Sequence, residues 1–138
     1  MIKYLETNPS PEEYNYLRKS VGWQEYVLGE IQKGLDNTLY CIVVKDNSKA
    51  VAMGRVIGDG KLVFYIQDVI VIPEYQKKGI GKNIMVMIMK YIESNSINNS
   101  IIGLMSAIGK EEFYKQFGFI QRPNEKMGCG MTVFVKKT

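Results

Sequence analysis

Hydrophobic positions along the chain fall into short β-type runs and longer helical stripes. Thr38–Val44 (T-L-Y-C-I-V-V), Ala50–Ile57 and Leu62–Ile72 are dense in β-branched and aromatic residues and read as three successive strands. Asp46-Asn47-Ser48 and Gly58-Asp59-Gly60 stand between them with hairpin-turn chemistry. Gly54 interrupts the middle run and predicts a bulge or the close approach of a neighbouring element. Ahead of these, Ile2–Leu5 is a short first strand. Ser10-Pro11-Glu12-Glu13 then opens a helix with a serine N-cap, proline at the first position and acids in the first turn. Tyr14, Leu17 and Val21 give that helix its apolar face. A second helix follows Gly22 and runs through Tyr26, Ile31 and Leu35.

The period changes after Pro73. From about Gly79 to Ser94, residues Ile80, Ile84, Met87, Ile88 and Tyr91 share one helical face, which Met85, Met89 and Ile92 widen. Only Lys82, Asn83, Lys90 and Glu93 make a polar stripe, so this helix is central and mostly buried. Ile101–Ala107 is a further strand, and Lys110–Phe117 a short helix that Gly118 ends. Phe119-Ile120 and Met131–Val135 supply the last two strands. The order β-α-α-β-β-β-α-β-α-β-β predicts a mixed α/β fold of the α+β type, with a mostly antiparallel central sheet and about four helices. One domain covers residues 1–138.

Composition narrows the chemistry mainly by what it lacks. There is no histidine. Ser-His-Asp triads, Cys-His pairs and histidine metal sites are therefore excluded together, leaving carboxylates, tyrosines, lysines, main chain and water. Cys41 and Cys129 form no C-x-x-C pair, so neither a disulfide scaffold nor a zinc site is indicated. Cys129, flanked by Gly128 and Gly130, reads as an ordinary loop thiol. No apolar run approaches the ~20 residues of a membrane span. A cytoplasmic protein without a membrane partner is expected. The formal charge of +4 suits a polyanionic ligand and is too small to imply nucleic acid.

One stretch gathers positive charge at a single place. Gln76-Lys77-Lys78-Gly79-Ile80-Gly81-Lys82 joins an apolar strand to the start of the central helix. A helix N-terminus offers unpaired N–H groups and the positive end of the helix dipole to an anion. Glycines at 79 and 81 let a phosphate reach the main chain without meeting a Cβ. The spacing is neither that of a P-loop nor of a dinucleotide fold.

The stretch resembles the acyl-CoA pyrophosphate loop of the GNAT superfamily of N-acetyltransferases, Q/R-x-x-G-x-G/A after an apolar strand. Phe113-Tyr114-Lys115-Gln116-Phe117-Gly118-Phe119 resembles the F-Y-x-x-x-G-F that follows the fifth strand in the same family. Arg122–Met131 is similar to the R-P-x-x-x-M-G-x-G-M tail of a bacterial subgroup, where it lies near the acceptor side of the cleft. The element order also matches, so the resemblance covers almost the whole chain.

What the resemblance implies is acetyl transfer from acetyl-CoA, a co-substrate used without a metal, to a primary amine by direct attack in a ternary complex. Gln76, Lys77, Lys78, Gly79, Ile80, Gly81 and Lys82 would hold the phosphates, with Lys110 as a further contact. A main-chain N–H of the fourth strand, within Val69, Ile70 and Val71, would receive the oxyanion. Tyr114 would lie beside the CoA sulfur and serve the leaving thiolate. The amine must lose a proton, which for a lysine-like group near pKa ~10.4 costs roughly 4 kcal/mol at neutral pH. Asp68 is the first candidate to accept it, the equal alternative being a carboxylate that pairs with a lysine or binds the ammonium. Glu111 and Tyr65 are weaker options. Trp23 and Tyr26 either line the same cleft or pack in the core.

A small-molecule amine is the expected acceptor ahead of a protein or peptide, and a homodimer is among the open oligomeric states. Two competing functions are a non-catalytic acyl-CoA-binding module and a small basic RNA-binding protein. The second is disfavoured because the lysines cluster at one loop without an aromatic stacking platform.

Overall fold

The serine at position 10 does what its neighbours predict. In the computed structural model, which describes residues 1–137 and so leaves out Thr138 of the expected domain, Ser10 and Glu13 form a reciprocal capping box at the start of a helix. Such a cap contributes about 1 kcal/mol. The chain divides into two units, Met1–Leu104 and Met105–Thr138.

The first unit holds the whole sheet. Its elements are β1 (Ile2–Leu5), α1 (Pro11–Ser20), α2 (Leu28–Leu35), β2 (Tyr40–Asp46), β3 (Lys49–Gly58), β4 (Val63–Val71), a 3-10 turn at Pro73–Tyr75, α3 (Ile80–Asn95) and β5 (Ile101–Gly103). The five strands lie in sequence order. Pairing is antiparallel from β1 to β4 and parallel between β4 and β5, because α3 carries the chain back across the sheet. Two layers of helix bury the sheet: Leu17, Ile31 and Leu35 come from α1 and α2, and Ile84, Met85, Ile88 and Ile92 from α3.

Gly54 meets both expectations placed on it. Between Met53↔Ile70 and Arg55↔Gln67, β4 has one residue more than β3, so a bulge at Asp68 and Val69 faces Gly54. A Cβ on Gly54 would stand 2.5 Å from Ile84 Cγ2 and 2.9 Å from Ile88 Cδ1, so α3 packs against bare backbone there. Gly54→Ala is expected to destabilise the protein by about 1–3 kcal/mol through overpacking, outweighing the ~0.4–1 kcal/mol gained from a stiffer unfolded chain. Urea unfolding measures it, and an unchanged midpoint would show that the helix yields freely.

α2 begins later than expected and leaves Tyr26 outside it. Tyr26 is instead held by Asn15 of α1, whose side chain donates to its carbonyl at 2.8 Å and accepts from its N–H at 2.9 Å. Those two bonds fix an extended loop in place of a first helical turn.

In the second unit, α4 (Glu111–Lys115) sits between Gly109 and Gly118, both at positive φ. The strands expected at Phe119-Ile120 and Met131–Val135 do not form. Neither segment has a ladder partner among the described residues, and Ile120, Met131, Val133 and Phe134 are exposed. A β-type side-chain pattern describes fitness for a ladder and supplies no partner.

Candidate active site

The loop expected to hold an anion is a pair of left-handed residues leading into α3. Gly79 is the N-cap of α3 at φ +84°, and Lys77 before it is also left-handed at φ +64°. This double turn brings the chain from the 3-10 turn into the helix axis. The first helical bond runs from Asn83 N–H to Gly79, and no side chain caps the terminus. Main-chain N–H groups from Lys77 to Lys82 therefore have no hydrogen-bond partner among the described residues. Lys77, Lys78, Gly79 and Lys82 are exposed, while Ile80 is buried and anchors the turn. Gln76 is exposed, and its side-chain amide donates to the Val71 carbonyl at 2.8 Å. Beside the loop a cleft of about 450 Å³ is lined by Ile2, Tyr4, Asp46, Tyr75, Lys78 and Ile80. The Tyr75 hydroxyl donates to Asp46 at 2.5 Å, the largest cause holding that carboxyl below its ordinary value.

β4 presents an open edge where an acyl group is expected. Its pairing with β5 covers only Val63–Tyr65, so Ile66–Val71 has no strand on that side within the sheet. Val69 and Val71 are half-buried there and Ile70 points into the core.

Asp68, the first candidate for proton acceptor, sits inside the protein. Its side chain is fully buried, and it lies at φ +58°, within the bulge. Arg18 NH1 donates to Oδ1 at 2.9 Å, the Tyr14 hydroxyl donates to Oδ2 at 2.7 Å, and Arg55 NH1 stands 3.5 Å from Oδ2. Of the expected pairings, a cation is the one observed, and it is arginine instead of lysine. The arginines are committed elsewhere too: Arg18 to the Gln24 carbonyl, Arg55 to Thr38 and the Gly34 carbonyl. Arg18 also lies against the rings of Tyr14, Trp23 and Tyr26, at 5.6, 5.5 and 4.7 Å, a stacking that suits a weakly hydrated guanidinium. Trp23 and Tyr26 thus hold an arginine. Burial first, and then the negative charge of Asp68, raise the Tyr14 hydroxyl well above its ordinary value. Burial also pushes the Cys41 thiol up to about 12, so it is no nucleophile.

A cavity of about 240 Å³ opens over this network, lined by Tyr14, Tyr26, Glu30, Ile31, Leu35 and Arg55 among others. Glu30 is exposed there and paired with Lys33 at 3.0 Å. Tyr14 and Arg18 escaped the sequence reading as partners of Asp68, although their four-residue spacing puts both on one helix face. Arg55, a lone charge inside the apolar run of β3, was the other available signal. Tyr65 is half-buried on β4, with burial raising its hydroxyl.

In the second unit, Tyr114 lies in an aromatic cluster, edge-on to Phe113 at 5.1 Å and to Phe119 at 6.2 Å. Burial raises its hydroxyl above the ordinary tyrosine value, and that hydroxyl makes no hydrogen bond among the described residues. Lys110 is exposed at the N-cap of α4, and Glu111 accepts from the Gly109 N–H. The tail folds on itself: Arg122 donates to the Gly128 carbonyl, and Asn124 Oδ1 accepts from the N–H groups of Lys126 and Met127. Cys129 is exposed.

Comparison with known proteins identifies the family and the fold. Residues 10–135 match the family model of the acetyltransferase (GNAT) domain. An uncharacterized N-acetyltransferase of Pyropia yezoensis is 31% identical over 131 residues, covering 91% of this chain and 74% of that protein. The curated relatives are longer, and the chain spans from 61% to 74% of the first two. A crystal structure from meticillin-resistant Staphylococcus aureus, of a protein of unknown function named a probable acetyltransferase, is 35% identical with a TM-score of 0.90, over 98% of this chain and 100% of that one. An aminoglycoside N-acetyltransferase in complex with CoA shares the fold alone, at 13% identity and a TM-score of 0.66, over 99% of this chain and 95% of that one. With the family model spanning nearly its whole length, the chain belongs to the GNAT acetyltransferase family.

Proposed function

We propose that the protein is an acetyl-CoA-dependent N-acetyltransferase that acts on the primary amine of a small molecule in the cytoplasm. The observation that carries this reading is the run of unpartnered N–H groups from Lys77 to Lys82, flanked by exposed lysines, at the start of α3. Two phosphates of CoA match that array in charge and in hydrogen-bond capacity. The open edge of β4 supports the next step, since a main-chain N–H of Val69 or Ile70 can stabilise the oxyanion as the amine attacks the thioester carbonyl. Tyr114 is assigned the departing thiolate as a hydrogen-bond donor. An amine panel assayed with acetyl-CoA, following release of the free thiol, tests the reading. Thiol release that depends on the amine is expected; none across a broad panel would overturn it.

A non-catalytic acyl-CoA-binding module is the second reading. The engagement of Asp68 by two arginines favours it, because it takes this buried carboxylate off the list of proton acceptors.

Both readings share one expectation about binding. CoA should bind in the micromolar range and lose about three- to tenfold in affinity between roughly 0.05 and 0.5 M salt, as exposed lysine–phosphate attraction is screened. Titration calorimetry at the two ionic strengths measures this, and salt-independent binding would displace the phosphates from the loop.

A further inference from the structure

We propose that Asp68 is a positioning residue: anchored by Arg18, Arg55 and Tyr14, its carboxylate holds the left-handed turn that makes the bulge in β4 and so aims the main chain of Val69 and Ile70. The aim matters only if the protein transfers an acyl group, so the catalytic part of the proposal rests on that reading.

Three observations converge on it. First, a non-glycine residue at φ +58° inside a strand is uncommon and needs surroundings that impose it. Aspartate tolerates the left-handed region better than most residues, and here its only local hold is the long 3.4 Å contact from the Gln67 amide. Second, what holds it comes from two other elements: α1 through Tyr14 and Arg18, β3 through Arg55. The same bonds tie α1 to the sheet at the bulge. Third, the pairing register breaks at Asp68 and Val69, opposite Gly54, whose missing side chain makes room for Ile84. The anion is therefore seated at the one place where β4 leaves the regular ladder.

A proton acceptor needs a free lone pair facing the substrate, and Asp68 offers none. Both oxygens already accept hydrogen bonds, and the nearest charges are two guanidinium groups. The other groups that face it are Gln67, whose amide stands 3.4 Å from Oδ1, and the tyrosine and thiol of Tyr65 and Cys41, which its charge reaches.

Asp68→Asn and Asp68→Ala separate the two roles. Asparagine adopts the left-handed turn, and its one amide oxygen can still accept from Arg18 while its NH2 donates to the Tyr14 hydroxyl oxygen. Alanine keeps neither the turn preference nor the anchors. For a positioning residue, Asp68→Asn should lose about three- to tenfold in kcat with the pH profile of the parent. Asp68→Ala should lose ~10²-fold or more in kcat, the scale of a misplacement of about 1 Å, with CoA affinity within about threefold. Amide resonances of Val69 and Ile70, followed by NMR, report the bulge without any turnover. They should stay near parental positions in Asp68→Asn and move in Asp68→Ala. A deficit in Asp68→Asn that is greatest at neutral pH and vanishes as the amine deprotonates would overturn the proposal in favour of a base. Unmoved Val69 and Ile70 amides in Asp68→Ala would overturn it as well. Should Asp68→Ala fail to fold, Asp68→Gly, which keeps the turn and drops the carboxylate, must shift those amides. If the parent acetylates no amine, the functional reading fails, while the NMR result still decides what Asp68 does.

Discussion

Gly79→Val is expected to weaken CoA binding by at least ~10²-fold while the protein stays folded. The residue stands at φ +84°, in a region where a β-branched side chain is a genuine outlier. Nothing lies within 4 Å of the Cβ it would gain, so the native packing offers no clash and the penalty is local backbone strain of about 1–2 kcal/mol. Relief of that strain means reorganising the N-cap of α3, and with it the direction of the N–H groups that follow. Losing two charge-assisted hydrogen bonds at about 1.5–3 kcal/mol each gives the stated factor or more. The exposed position limits the global effect, so the unfolding midpoint should fall by no more than roughly 10 °C. Calorimetric titration with CoA and a thermal melt, run side by side, measure both. Gly81→Val repeats the test from inside the first helical turn. A valine at 79 that binds CoA as well as the parent would reduce the glycines to turn residues and remove the phosphates from this loop.

How far the chain could be read from its sequence depended on how local each determinant was. The Ser10 cap, the hairpin strands and α3 are written in neighbouring residues, and all three form. Gly79 could be placed at the helix start because the apolar helical stripe begins right after it, at Ile80. The environment of Asp68 could not be read this way. Its partners lie 50 and 54 residues upstream on α1, and no period within β4 announces a buried anion. The alternation of β4 even argues the other way, since a carboxylate at an inward position is costly until its cations are known. Tyr26 was misplaced for a similar reason: an apolar helical stripe does not register that Asn15 will capture its backbone. The last two strands fail for want of a partner, which is a property of assembly and not of the segments themselves.

Tyr114→Phe is expected to lower kcat by ~10- to 10³-fold and to leave CoA affinity nearly unchanged. Only a hydroxyl is removed, so the edge-on contacts with Phe113 and Phe119 survive. A donor to the leaving sulfur helps most as negative charge develops, and its loss therefore falls on kcat and not on ground-state binding. An ordinary tyrosine near pKa ~10 is already a weaker acid than a thiol near ~8.5, so full proton transfer runs uphill by about 2 kcal/mol. Burial raises the Tyr114 hydroxyl further, which widens that gap, so in the proposed role it would act as a donor that keeps its proton. The same shift fixes the pH behaviour. Because the hydroxyl loses its proton only above its raised pKa, the parent keeps the donor throughout the neutral range. The ratio of parent to variant should then be flat from about pH 7 to 9 and shrink only at higher pH, as the parent itself ionises. Rate measurements on a good amine substrate across that range decide the matter. A ratio that changes between neutral pH and about pH 9 would mean that Tyr114 titrates during turnover, and full activity in the variant would remove it from the chemistry.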